Sequence, residues 1–180
     1  MRTLKYAILG LLNQRSMTGY ELMQQFEGAL AEFWNAKHSQ IYPELKRLTT
    51  EGMVTYDIKI AGTVLEKKVY TITNAGRKDF LQWLSLDEPM QETAKDIFRL
   101  RLFFGNHLGS ARRMELIKSQ LTQHQARLAQ LMENQETFCG IPSKDTDAFY
   151  DYMILTGGIL REEAYCRWLN VCIKMCEEEG

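Results

Sequence analysis

The sequence has no uninterrupted apolar run approaching the ~18–20 residues that a membrane-crossing helix requires, so no membrane partner is expected. The opening stretch MRTLKYAILGLLNQRSMTGYEL carries a short apolar patch. That patch is interrupted at helical spacing and lacks a small-residue cleavage site, so it reads as a folded helix of a cytoplasmic protein. Histidine is scarce, with His38, His107 and His124 scattered along the chain. There is no glycine-rich phosphate loop, no Ser-His-Asp layout and no metal-ligand cluster, so neither an enzyme nor a cofactor is expected. Cys139, Cys166, Cys172 and Cys176 all fall in the second half, with no Cys-x-x-Cys pair and no zinc-ligand spacing. They read as small apolar residues of a reducing compartment, a redox role for Cys166, Cys172 or Cys176 being the alternative. Low-complexity tracts and internal repeats are absent as well.

What the 180 residues do contain is 45% hydrophobic side chains, enough for a real core. The net charge of −1 conceals a split. Met1–Leu84 holds 11 Lys+Arg against 8 Asp+Glu, a net of +3, while the remainder holds 11 against 15, a net of −4. A basic first half suggests an anionic partner there. Leu4, Ala7, Ile8, Leu11 and Leu12 recur at helical spacing and predict a first helix ending near Asn13. Thr18 followed by Glu21 has the capping-box pattern and opens a second helix carrying Tyr20, Leu22, Met23 and Phe26. Phe33 and Trp34 follow as core anchors, ahead of a third helix. MVTYDIKI and KKVYTIT, rich in β-branched and aromatic residues and separated by a turn at Gly62, predict a two-stranded hairpin. Thr73 caps a fourth helix with Phe80, Leu81 and Leu84 on its buried side. Three helices, a hairpin and a helix make a winged helix-turn-helix.

The third helix, within AKHSQIYPELKRLTTEG, carries the functional reading. Ile41, Leu45 and Leu48 form one buried stripe. Pro43 is tolerable only in a first turn, which places the start near Ser39 as N-cap, and Gly52 supplies the stop. Ser39, Gln40, Tyr42, Lys46 and Arg47 are left on the other faces. Small polar groups, a phenol and two cations are what a major groove takes. Glu44 is the awkward member, since it repels phosphate unless a neighbour holds it. Lys67 and Lys68, with Lys59 across the hairpin, place cations on the wing. A winged-helix module that binds protein and not DNA is the alternative. It would present an apolar or acidic face where this helix has Lys46 and Arg47.

In LKYAILGLL, TGYEL, SQIYPELKRLTTEGMV and KKVYTITNAGR the chain resembles the PadR family of bacterial transcriptional regulators. FWNAKHSQIYPEL is similar to that family's virulence-regulator branch. The resemblance implies a mainly α protein with a small β-hairpin. Residues 1–86 would form a winged helix-turn-helix DNA-binding domain and residues 90–180 an α-helical dimerisation domain. It implies a homodimeric regulator, a repressor, reading an inverted-repeat operator in double-stranded DNA through the 39–52 recognition helix and the 53–73 wing. Tyr20, Tyr42, Lys67 and Lys68 fall on the family's DNA-contacting positions. Relatives answer to small aromatic or lipophilic effectors, and nine methionines and three tryptophans could line an apolar pocket for one.

Beyond a linker around Pro89 everything reads helical: Thr93 to His107, Ser110 to Phe138, and Asp147 to Cys176. Met114, Ile117, Leu121, His124, Leu128, Leu131, Gln135 and Phe138 make a narrow seam suited to packing along another long helix of the same or a second chain. The last helix has two apolar stripes. One runs through Phe149, Met153, Gly157, Leu160, Ala164, Trp168, Val171 and Met175, the other through Tyr152, Leu155, Ile159, Cys166, Leu169, Ile173 and Cys176. One monomer offers too little cover for both. Leu121, Leu128, Leu155, Ile159, Leu160 and Trp168 are therefore expected at a dimer interface.

Overall fold

The computed structural model describes residues 2–34, 37–61, 65–90 and 95–178, and the expected hairpin turn at Gly62 lies outside them. The chain divides into two compact units, Met1–Met90 and Gln91–Gly180.

The first unit begins with α1 (Thr3–Gln14), a two-residue strand β1 (Met17–Thr18) and α2 (Gly19–Glu27). A 3-10 turn over Ala29–Glu32 leads to α3 (His38–Thr50), then β2 (Val54–Ala61), β3 (Leu65–Ile72) and α4 (Asn74–Leu84). The expected hairpin is in fact part of a three-stranded antiparallel sheet of order β1-β3-β2. β1 aligns Met17 with Tyr70 and Thr18 with Val69, so the short link between α1 and α2 lies beside the wing.

Both foreseen caps form. Thr18 Oγ1 accepts from the Glu21 amide while the Glu21 carboxylate accepts from the Thr18 amide, closing a capping box. Thr73 Oγ1 accepts from the Gly76 amide and donates to the Gly52 carbonyl at 2.8 Å, tying α4 to the turn after α3. A Cβ on Gly76 would stand 2.1 Å from the Met53 carbonyl oxygen, so only glycine permits that close seat.

Ile8, Leu9, Leu22, Ile41, Leu45 and Leu48 are fully buried in the core of this unit. Trp34 packs against it, whereas Phe33 is 52% exposed and is no anchor. The buried side of α4 also differs from expectation: Phe80 packs inward with Trp83, and Leu81 and Leu84 are exposed. α1 makes that choice. Its Gly10 accepts the Phe80 ring, and its Tyr6 stacks on Trp83 at 4.5 Å.

The second unit is helical. It comprises α5 (Ile97–Phe103), capped by Asp96 Oδ1 on the Arg99 amide, a 3-10 turn over Gly105–His107, α6 (Ser110–Glu136) and α7 (Asp147–Glu178). α6 and α7 form a long antiparallel hairpin. Gln135 Nε2 donates to Thr156 Oγ1 at 3.1 Å, Leu131 touches Gly158, and His124 Nδ1 lies 2.5 Å from Glu162 Oε2. The seam of α6 is thus filled by the same chain, and its two polar interruptions find polar partners on α7.

One of the two α7 stripes is spent on this hairpin: Leu155, Ile159, Cys166 and Leu169 are buried. The other, with Met153, Leu160, Val171 and Met175, stays exposed. Leu155 and Ile159 pack on Leu131 and are 8% and 7% exposed within their own chain. Most of their surface is thus already covered within their own chain. Leu121, Leu128 and Trp168 are half-buried, and Leu160 is exposed. Among the described residues, no helix is long and apolar enough to cross a membrane.

Candidate nucleic-acid interface

The cap position of α3 is Lys37, two residues before the expected Ser39, and it makes no side-chain cap bond. Ser39 is therefore an exposed helical residue and not the N-cap. Pro43 consequently lies in the second turn, where it removes the amide that would otherwise bond to the Ser39 carbonyl. The far end closes as read from sequence. Gly52 has φ +70°, its amide donates to the Thr49 carbonyl, and the Met53 amide donates to the Leu48 carbonyl.

With Ile41, Leu45 and Leu48 fully buried, the helix turns Ser39, Gln40, Tyr42, Lys46 and Arg47 outward. Tyr42 is 51% exposed, and its ring lies against the backbone of Gly19 at the start of α2. Tyr20, the next residue of α2, is 61% exposed and its hydroxyl accepts from Gln24 Nε2 at 3.3 Å. Tyr42 is thus seated where α2 begins, and the Tyr20 hydroxyl lies one turn further along that helix. Glu21 fixes that beginning. Its carboxyl is pulled down to about 2, first by the Thr18 amide, then by the Thr18 hydroxyl and Arg15.

Glu44 is held by a basic neighbour, as its place on this face requires. Arg2 Nη2 donates to Glu44 Oε1 at 2.5 Å and Arg2 Nη1 to Glu51 Oε1 at 2.6 Å, so one guanidinium bridges a carboxylate within α3 and one at its C-cap. Those bonds, the one to Glu51 foremost, push the Arg2 pKa up, and Arg2 in turn lowers that of Glu51. Sequence spacing gave no sign of this bridge, because its ends lie 42 and 49 residues apart. Arg47 Nε also lies 3.4 Å from Glu51 Oε1, yet the Arg47 side chain is 61% exposed.

In the wing, Lys67 and Lys68 separate onto opposite faces, as neighbours in a strand must. Lys67 pairs directly with Lys59 across the ladder, whereas Lys68 pairs with Ile58 and holds its ammonium 4.3 Å over the Tyr56 ring. Two lysines directly opposite each other repel, a cost that a bound polyanion would remove. Lys59 accordingly belongs with the cationic positions of the wing beside Lys67.

Residues 8–82 match the family described as the transcriptional regulator PadR-like family, and residues 94–177 match the virulence activator alpha C-terminal family. The negative transcriptional regulator PadR of Bacillus subtilis (strain 168) is 41% identical over 99% of this chain and 100% of its own. The crystal structure of Bacillus subtilis PadR in complex with operator DNA superposes with TM-score 0.92, covering 97% of this chain and 99% of that one at 41% identity. The same protein in complex with p-coumaric acid gives TM-score 0.88 at 38% identity, covering 98% and 99%. The Vibrio cholerae virulence activator AphA, 24% identical, shares the fold with TM-score 0.78, covering 98% and 99%.

Proposed function

Because the chain belongs to the PadR-like family of transcriptional regulators, and is a regulator and not an enzyme, we propose that it is a homodimeric repressor of transcription reading an inverted-repeat operator. The observation that carries this reading is the outer face of α3, where Gln40, Tyr42, Lys46 and Arg47 stand exposed over a fully buried apolar stripe. α3 enters the major groove. Tyr20 and Tyr42 meet the backbone and base edges beside it, and Lys59, Lys67 and Lys68 of the wing meet phosphates.

Residues 1–86 bind the operator and residues 90–180 join two copies. The exposed α7 stripe of Met153, Leu160, Val171 and Met175, flanked by Trp168, is the surface the second copy covers. Two reading heads at fixed spacing multiply weak single-site affinities through their effective concentration. The protein works in the cytoplasm, where its operator is. By analogy with the p-coumaric acid complex of the Bacillus subtilis protein, a small aromatic acid releases it from DNA.

A mobility-shift titration with DNA from upstream of the chain's own gene tests the reading. Wild type is expected to shift a specific fragment, and Tyr42→Ala and Lys46→Ala to weaken it by about tenfold each, roughly 1.4 kcal/mol. Equal binding by the wild type and both variants would overturn it.

A further inference from the structure

Glu44, Arg47 and Glu51 are spaced i, i+3, i+7, so they share one stripe of α3 running into its C-cap, with the arginine between two carboxylates. Left to itself, such a helix would fold Arg47 onto its own acidic neighbours. Arg2, from just before α1, intervenes. Its Nη1 takes Glu51 Oε1 at 2.6 Å, while Arg47 Nε is left at 3.4 Å from the same oxygen. Its Nη2 takes Glu44 Oε1. The terminal nitrogens of Arg47 donate to no protein group among the described residues. Arg2 is committed inward instead: its Nε is buried without a partner, and the two carboxylates hold its guanidinium.

We infer that Arg2 is a positioning residue for operator binding: by holding both carboxylates of the Glu44–Arg47–Glu51 stripe, it releases the Arg47 guanidinium to a DNA phosphate. The inference rests on the regulator reading and deepens it. The planar fork of arginine pairs with phosphate oxygens through two parallel N–H bonds, which an arginine folded onto a carboxylate does not offer. Arg2 itself touches no DNA. Without it, Glu44 and Glu51 would act twice against binding. They would compete for Arg47, and they would repel the phosphate it is to meet. An exposed ion pair within one helix is weak, so a single guanidinium from another element is enough to decide where Arg47 goes.

The test is a double-mutant cycle on the full chain, read by mobility shift across a range of salt on the fragment that the wild type binds. Arg2→Gln should weaken binding about tenfold, and Arg47→Ala by a similar factor. Together they should cost about what either costs alone, because Arg47 is already withdrawn once Arg2 is lost. The plot of log affinity against log salt should become shallower in Arg2→Gln by about two, one phosphate contact per subunit of a dimer. Adding Glu51→Gln to Arg2→Gln restores the net charge of the wild type and frees Arg47, so most of the affinity and of the slope should return. Arg2→Lys guards against misfolding of the neutral variant. It keeps a cation but cannot fork between two carboxylates, and should show the same changes at smaller size. Losses that multiply in the Arg2→Gln, Arg47→Ala pair would make Arg2 a phosphate contact of its own or a part of the scaffold, and overturn the inference. So would the absence of recovery with Glu51→Gln. A wild type that shifts no specific fragment fails the regulator reading, whereas one that binds and gives multiplying losses fails only this inference.

Discussion

The ring of Tyr42 on α3 rests on the backbone of Gly19 on α2, so closely that a Cβ at residue 19 would stand 2.6 Å from Tyr42 Cε1. Gly19 does not have positive φ, so the backbone itself would accept alanine. The constraint is the ring. Gly19→Ala should therefore leave the thermal midpoint within a few degrees of wild type, since alanine also favours the helix. It should displace Tyr42 and weaken operator binding by about tenfold in a mobility shift. If the phenol is displaced, adding Tyr42→Ala to Gly19→Ala should cost little more. Fully additive losses would show that Gly19 does not act through Tyr42.

Acid stability follows from Glu21. Its folded pKa of about 2 lies below the ordinary 4.5, so the group contributes stability that is complete above pH 4.5 and is lost as pH falls towards 2. The side chain is more than a third exposed, so water screens part of the effect. Glu21→Gln should flatten the pH dependence of the denaturation midpoint in that window and change its slope little at pH 6–8. An unaltered acid limb would refute the assignment.

His124 and Glu162 hold each other in the α6–α7 hairpin, with Tyr165 stacked on the imidazole at 3.9 Å and its hydroxyl donating to Asp96 Oδ2 at 2.6 Å. Burial and that carboxylate push the Tyr165 pKa up, and the phenol lowers that of Asp96. His124→Ala strands Glu162, which is only 9% exposed, and should cost about 2–3 kcal/mol in urea denaturation. Replacing both members, His124→Leu with Glu162→Met, should cost less than His124→Ala alone. A larger loss in the double variant would contradict the account.

Thiol chemistry should follow burial. Cys139 is exposed, while burial raises the pKa of Cys166 and of Cys172 and keeps both from the reactive thiolate form. Timed alkylation at pH 7.5 with mass-spectrometric readout should modify Cys139 first and Cys166 only after unfolding. Early modification of Cys166 would restore it as a redox candidate.

Much of this architecture was legible in the chain because its signals are local. The Thr18 and Thr73 caps, the Gly52 stop and the long periods of α6 and α7 each depend on residues within a turn or two of one another. The errors arose where a distant partner decides. β1 is two residues long and exists only because Tyr70 and Val69 lie beside it. Which flank of α4 is buried is set by Tyr6 and Gly10 of α1. Leu155 looked equal to Leu160 in sequence, and only the placement of Leu131 told them apart. Of the candidate interface, the polar face of α3 was readable from its period. The hold of Arg2 on Glu44 and Glu51 and the seat of Tyr42 were not.

The opposed Lys59 and Lys67 give dissolved ions two contrary effects on the wing. Screening at higher ionic strength eases the repulsion between the paired ammonium groups and steadies the strands when nothing is bound. The same ions compete for phosphate contacts and lower the return from placing the wing on a nucleic acid. The free hairpin is thus least comfortable in dilute buffer, where its gain from meeting a phosphate backbone is greatest.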